Sequence, residues 1–98
     1  MSARQKPTAV TKGTDTTKDP WELVGVVNPR GQETKYYFEW GPTDSYGTTT
    51  PLTSAGQGTS DIEVRAAPTG PSNGTNFRIV AFNDAGPSYG ANSVVSGT

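Results

Sequence analysis

The 98-residue chain contains no cysteine, no histidine and a single methionine. Without cysteine there is no disulfide scaffold, no thiol nucleophile and no thiolate metal site. Without histidine, the commonest general base and the commonest transition-metal ligand are both missing. These absences argue against an enzyme, and no cofactor or metal is expected. The chain has no run of about 18 apolar residues, so no membrane span is expected. No window shows the three-and-four spacing of an amphipathic helix. Met1 to Lys6 has no apolar stretch behind its charges, unlike a secretory signal, and points to a protein made in a cytoplasm.

What is present is turn-forming and β-forming. Twelve glycines and eight prolines punctuate a chain that is only 31% hydrophobic, which allows one small domain with a modest core. The net charge of −1 conceals a division. Residues 1–19 set Arg4, Lys6, Lys12 and Lys18 against Asp15 and Asp19, whereas residues 20–98 hold four cations against seven carboxylates. A basic arm ahead of an acidic body is the expectation. The bias is too weak, and too little clustered, for a nucleic-acid partner.

The arm is rich in Thr, Lys, Ala and Pro, with Ala9-Val10 its only apolar pair. It cannot bury enough surface to offset ordering entropy, so residues 1–19 read as extended, with room for a first strand near Pro7 to Thr11. From Pro20 the pattern becomes period-2 alternation between turns. Residues 21–27 and 34–40 read as strands, the latter aromatic-rich as a half-buried pleated surface prefers. Gly47 to Leu52 reads as a short edge strand, because Pro51 cannot donate to a ladder. Ser54 to Gly58 reads as a loop. Residues 61–66 place Ile62, Val64 and Ala66 inward with Glu63 and Arg65 outward. Residues 76–82 place Phe77, Ile79 and Ala81 inward, Asn83 to Pro87 turns the chain, and Tyr89 to Val95 makes a last strand. Strands at this spacing indicate an all-β sandwich or barrel.

Several of these stretches resemble a known family. Asn28-Pro29-Arg30-Gly31, followed by Thr34-Lys35-Tyr36-Tyr37-Phe38-Glu39-Trp40-Gly41, is similar to the B–C region of fibronectin type III domains of the bacterial and phage kind. Thr43-Asp44-Ser45-Tyr46-Gly47 and Phe77 to Gly86, continued by Pro87-Ser88-Tyr89-Gly90, match further motifs in order. The resemblance covers residues 20–98 and implies a single immunoglobulin-like β-sandwich. It implies little about function, because the fold hosts many roles. Two departures stand out. Pro71 replaces the usual leucine of the E–F turn, and the position of the family's corner tyrosine falls on Thr75. Either Phe77 supplies the corner ring without its hydroxyl or the corner is absent. A shorter turn and a less stable domain are expected.

No catalytic or ligand-binding constellation emerges. Ser45, Ser54 and Ser60 lack a histidine to activate them. Gly56-Gln57-Gly58 has no strand–helix context for a phosphate, and the carboxylates show no calcium-loop spacing. Asn73-Gly74-Thr75 fits a glycosylation sequon without a secretory signal. Trp21, Tyr36, Phe38, Trp40 and Phe77 point inward as core, whereas Tyr37 and Phe82 point outward. Val24 and Val26 face out if Leu23, Gly25 and Val27 face in, and such a strip is either a contact surface or a face covered by the folded-back arm. The candidate partner-binding residues are Arg4, Lys6, Val10, Lys12 and Lys18 of the arm with Val24, Val26 and Tyr37 of the sandwich.

Two functions fit. In the first, the chain is a phage virion surface protein, decorating a capsid or associated with a tail, anchored to that larger assembly by its arm and one sheet face, with a host-surface glycan as a further partner. In the second, it is an accessory, linker or weakly glycan-binding module of a bacterial secreted enzyme or adhesin.

Overall fold

The computed structural model describes residues 5–18, 20–68 and 70–95. The strands are β1 (Thr8–Asp15), β2 (Glu22–Asn28), β3 (Thr34–Gly41), β4 (Thr48–Thr49), β5 (Thr53–Gly56), β6 (Ile62–Ala66), β7 (Asn76–Asn83), β8 (Gly86–Tyr89) and β9 (Ser93–Val94). No helix forms among the described residues. One sheet has the antiparallel order β1-β2-β6. The other runs β4-β3-β7-β8, with β5 also on β3 and β9 also on β7.

Alternation builds the core between the two sheets. On β2 every second residue is buried, so Leu23 and Val27 point in while Val24 and Val26 point out. Phe38, Phe77, Ile79 and Ala81 are fully buried on the facing sheet, joined by Tyr36, Val64, Ala55 and Val95. Trp21 and Trp40, expected inside, are only partly buried and pack against the margin of this cluster. Ile62, also expected inside, is 37% exposed because β6 is an edge strand with a neighbour on one side only.

The centre of the larger sheet is the pair Phe38↔Ile79. Neither residue has a continuous strand on its outer side. Next to Phe38 the chain runs into Pro51, which has no N–H to give. There Thr50 donates its N–H to the Phe38 carbonyl at 2.9 Å, and its hydroxyl accepts the Phe38 N–H at 2.9 Å. Next to Ile79 the last strand is interrupted. Gly90 donates to the Ile79 carbonyl at 2.9 Å, and the Thr11 hydroxyl accepts the Ile79 N–H at 3.2 Å. Gly90 must lack a side chain, since a Cβ there would overlap Thr11.

Part of the stretch expected to be an extended arm is built into the smaller sheet. Residues 8–15 are a full strand, paired with β2 from Thr8↔Asn28 to Asp15↔Glu22. Pro7 is fully buried, and the Asn83 amide donates to the Gln5 carbonyl at 2.7 Å. The composition of this stretch is too polar for a core, but a strand needs only backbone partners and a few fitting side chains. Three other expectations change. The Gly47–Leu52 strand shrinks to Thr48–Thr49. The expected loop at Ser54 to Gly58 contains β5. The final strand begins at Gly86, within the expected turn, and splits around Gly90 into β8 and β9.

Thr11→Val and Thr50→Val keep the side-chain shape and remove the acceptor. Each is expected to lower unfolding stability by about 1–3 kcal/mol, the cost of a buried N–H left unpaired. Urea denaturation measures this, and losses under about 0.5 kcal/mol for both would mean that the hydroxyls do not complete the ladder. A chain beginning at Thr16 is expected to lose its cooperative transition.

Candidate interaction surfaces

The outer face of the three-stranded sheet carries the apolar strip. The register sets Val10 opposite Val26, with Glu63 on the far side of Val26, and sets Val24 between Gly13 and Arg65. Val10 is 50% exposed, while Val24 and Val26 are half-buried. The β1 ladder slips between Thr11 and Gly13, and this bulge leaves Lys12 exposed. Lys12, Val24, Asp15 and Arg65 border one shallow hollow of about 310 Å³.

At one end of the strip a single guanidinium clips the three strands together. Arg65 on β6 donates to Asp15 of β1 at 2.8 Å and Glu22 of β2 at 2.9 Å, and to Glu63 of its own strand at 2.6 Å. The Thr17 hydroxyl donates to the Asp15 carboxylate at 2.5 Å and the Thr17 N–H donates at 3.0 Å. The Thr17 hydroxyl and then Arg65 hold the Asp15 carboxyl well below the usual carboxylate range. The hydrogen bonds to Asp15, Glu22 and Glu63 raise Arg65 in turn.

The outer face of the larger sheet is aromatic. One row sets Tyr37, Val80 and Tyr89 side by side on β3, β7 and β8, and the next pairs Lys35 with Phe82. Val80 is only 1% exposed although it points away from the core, so its aromatic neighbours cover it. Arg78 lies over the rings of Tyr89 (4.5 Å) and Tyr46 (5.1 Å), and its Nε donates to Glu39 at 2.7 Å. Burial works against the Arg78 charge, but the Glu39 hydrogen bond and charge outweigh it and the guanidinium is raised above its ordinary value. Burial likewise raises the hydroxyl pKa of Tyr37 and Tyr46.

Tyr46 reaches this face by way of a strained loop. Its φ is +58°, its N–H donates to the Thr43 carbonyl at 3.0 Å, and its hydroxyl donates to Asn92 at 2.9 Å. Gly41 packs directly against the Tyr46 backbone and has no room for a Cβ. Beside the aromatic face, Tyr37, Thr49, Thr50, Pro51 and Leu52 line an open groove of about 580 Å³, and Leu52 is 52% exposed.

Of the residues singled out in the sequence, Val10, Lys12, Val24 and Val26 come together on one face. Lys6 lies elsewhere, its stem against Gly86 beside the β7–β8 turn, and Lys18 sits in the β1–β2 connection. Tyr37 is on the opposite sheet, edge-on to a half-buried Phe82 at 6.4 Å. Arg4 lies outside the described residues. Sequence reasoning missed Arg78, Tyr89 and Tyr46 as site residues. Alternation along β7 already puts Arg78 outward with Val80 and Phe82, whereas nothing local directs Tyr46 onto it. Compared with known proteins, the chain matches no family model, no curated protein and no solved structure. The geometry defines an all-β sandwich with two differently built outer faces.

Asp15 sets a pH dependence. Its pKa is depressed in the folded state, so its contribution is present above the ordinary value of 3.8 and is lost as pH falls below it. Asp15→Asn is expected to flatten the fall of the urea midpoint below about pH 4. An Asp15 carboxyl that titrates by NMR at the ordinary value would overturn the clip.

Proposed function

We propose that this chain is a non-enzymatic structural and interaction module of the fibronectin type III kind, carried on a phage virion surface and held there to a larger protein shell of capsid or tail. The family reading is supported by the motifs in the sequence and by the arrangement of β1-β2-β6 facing β4-β3-β7-β8. One motif residue and one departure from the motif carry defined local roles. Asn28 accepts the Arg30 N–H at 2.9 Å and donates to the Thr59 carbonyl at 3.1 Å, so it shapes the turn after β2. Thr75, at the position of the corner tyrosine, accepts the Ser72 N–H on its hydroxyl at 2.9 Å and braces the turn ahead of β7.

The observation that carries the attachment is the valine strip. Because β1 belongs to the sheet, the contact is assigned to the strand face of Val10, Val24 and Val26, with Lys12 beside it, in place of a free arm. Burying what remains exposed of three valines is worth about 2–4 kcal/mol. A micromolar complex needs about 8 kcal/mol. One copy therefore binds weakly, and repetition on a symmetric shell supplies the rest through avidity. A second reading, an accessory module of a secreted bacterial enzyme or adhesin, draws on the exposed aromatic face instead.

Co-sedimentation with phage particles encoded beside this chain tests the attachment. The wild-type chain is expected to pellet with them, and Val10→Lys and Val26→Lys to reduce the bound fraction at least tenfold while keeping the wild-type circular dichroism spectrum. Undiminished binding by both variants would remove the valine face from the interface. No binding by the wild type would remove the virion reading.

A further inference from the structure

We propose that the outer face of the larger, six-stranded sheet is a saccharide-binding platform that takes a neutral oligosaccharide. It is a different face from the valine strip, and the inference holds on either reading of the chain's function.

Three properties of the face select this ligand. The first is ring surface. Tyr89 is 54% exposed and stands beside Tyr37 across the buried Val80. A tyrosine face carries the negative lobe of its quadrupole and attracts the polarised C–H bonds on one side of a pyranose ring. The second is the Glu39–Arg78 pair. Both side chains reach solvent, with exposures of 22% and 31%, and their Oε2···Nε distance is 2.7 Å. A carboxylate acceptor next to guanidinium donors fits adjacent sugar hydroxyls, which both donate and accept. The pair cancels its own charge, so the part of the platform beside Tyr37 and Tyr89 does not favour a charged ligand, and Lys35 lies a row away beside Phe82. The third is rigidity. Arg78 is held by two rings and a carboxylate, and Tyr46 is fixed through Asn92, which in turn donates to Asn76 at 3.1 Å. Ordering these side chains on binding therefore costs little.

The groove bordered by Tyr37, Thr49 and Leu52 continues the platform sideways. An open groove of this kind fits a chain of sugars, where an enclosed pocket would fit a single one. Its exposed apolar side chains are Pro51 and Leu52 beside two threonines, a small apolar surface next to the densely packed core of a protein–protein contact. Binding is therefore expected to be weak, with Kd in the range of about 0.1–10 mM.

The test is an NMR titration of the 15N-labelled chain with maltohexaose, cellohexaose and N-acetylchitohexaose. At least one is expected to shift amides of β3, β7 and β8 while leaving those of β1 and β2 in place. Tyr89→Ala and Glu39→Gln are each expected to weaken that response at least tenfold, and Ser60→Ala, in the loop before β6, to leave it unchanged. The dispersion of each spectrum shows whether the variant is folded. No shift with any of the three sugars would overturn the proposal. So would shifts that survive both substitutions, or a face that responds only to added phage particles, which would make it a protein-docking surface. None of these outcomes alters the co-sedimentation result, so failure here and failure of virion attachment are read separately.

Discussion

The structure depends on a ladder that is broken on both sides of its central pair and completed by two threonines. Phe38 and Ile79 sit opposite each other at the heart of the larger sheet, fully buried. Each presents an N–H to a side where no regular strand continues. A buried donor left unpaired costs more than an ordinary hydrogen bond contributes, so the fold must supply acceptors there. Thr50 supplies one from its own sheet, beside Pro51. Thr11 supplies the other from the opposite sheet. That second bond draws β1 against the last strand, requires glycine at position 90 and interrupts that strand between β8 and β9. Several features with no evident link along the chain therefore share one cause.

The same constraint shapes the outer surfaces. With β1 in the sheet, Val10 lies beside Val26, and Asp15 comes within reach of Arg65. The two outer faces then use arginine differently. Among the described residues Arg65 has three carboxylates and no ring against it, so it fastens strands and leaves a local excess of negative charge. Arg78 has one carboxylate and two rings, so its charge is cancelled and its position fixed within an aromatic surface. One face is thus aliphatic with a charged margin, and the other is aromatic around a charge-cancelled Glu39–Arg78 pair, with Lys35 in the neighbouring row. The two faces point in opposite directions, so a module attached by one displays the other.

Much of this was legible in the sequence where the signal was local. Alternation identified β2, β3, β6 and β7 and most of the core, because a residue's side of a strand depends only on its neighbours in the chain. It also put Val24, Val26 and Tyr37 outward. It gave β1 only as room for a strand near Pro7 to Thr11, short of the Thr8–Asp15 that forms, and it missed β5, where Ser54 to Gly58 reads as a loop. Both pair through their backbones, and backbone hydrogen bonding is the same for every residue type except proline. Composition does not distinguish the threonines that face water from Thr11 and Thr50, whose hydroxyls act as acceptors inside the sandwich.

The site divides in the same way. Period-2 patterning alone establishes an all-β chain with valines on one face of β2 and aromatics on both faces of β3. The approach of Thr11 to Ile79, the placement of Tyr46 against Arg78 and the reach of Arg65 to Asp15 and Glu22 join residues far apart in the chain. Those contacts follow from which strands become neighbours, and strand order is set by the packing of two whole sheets, which no stretch of this chain encodes by itself.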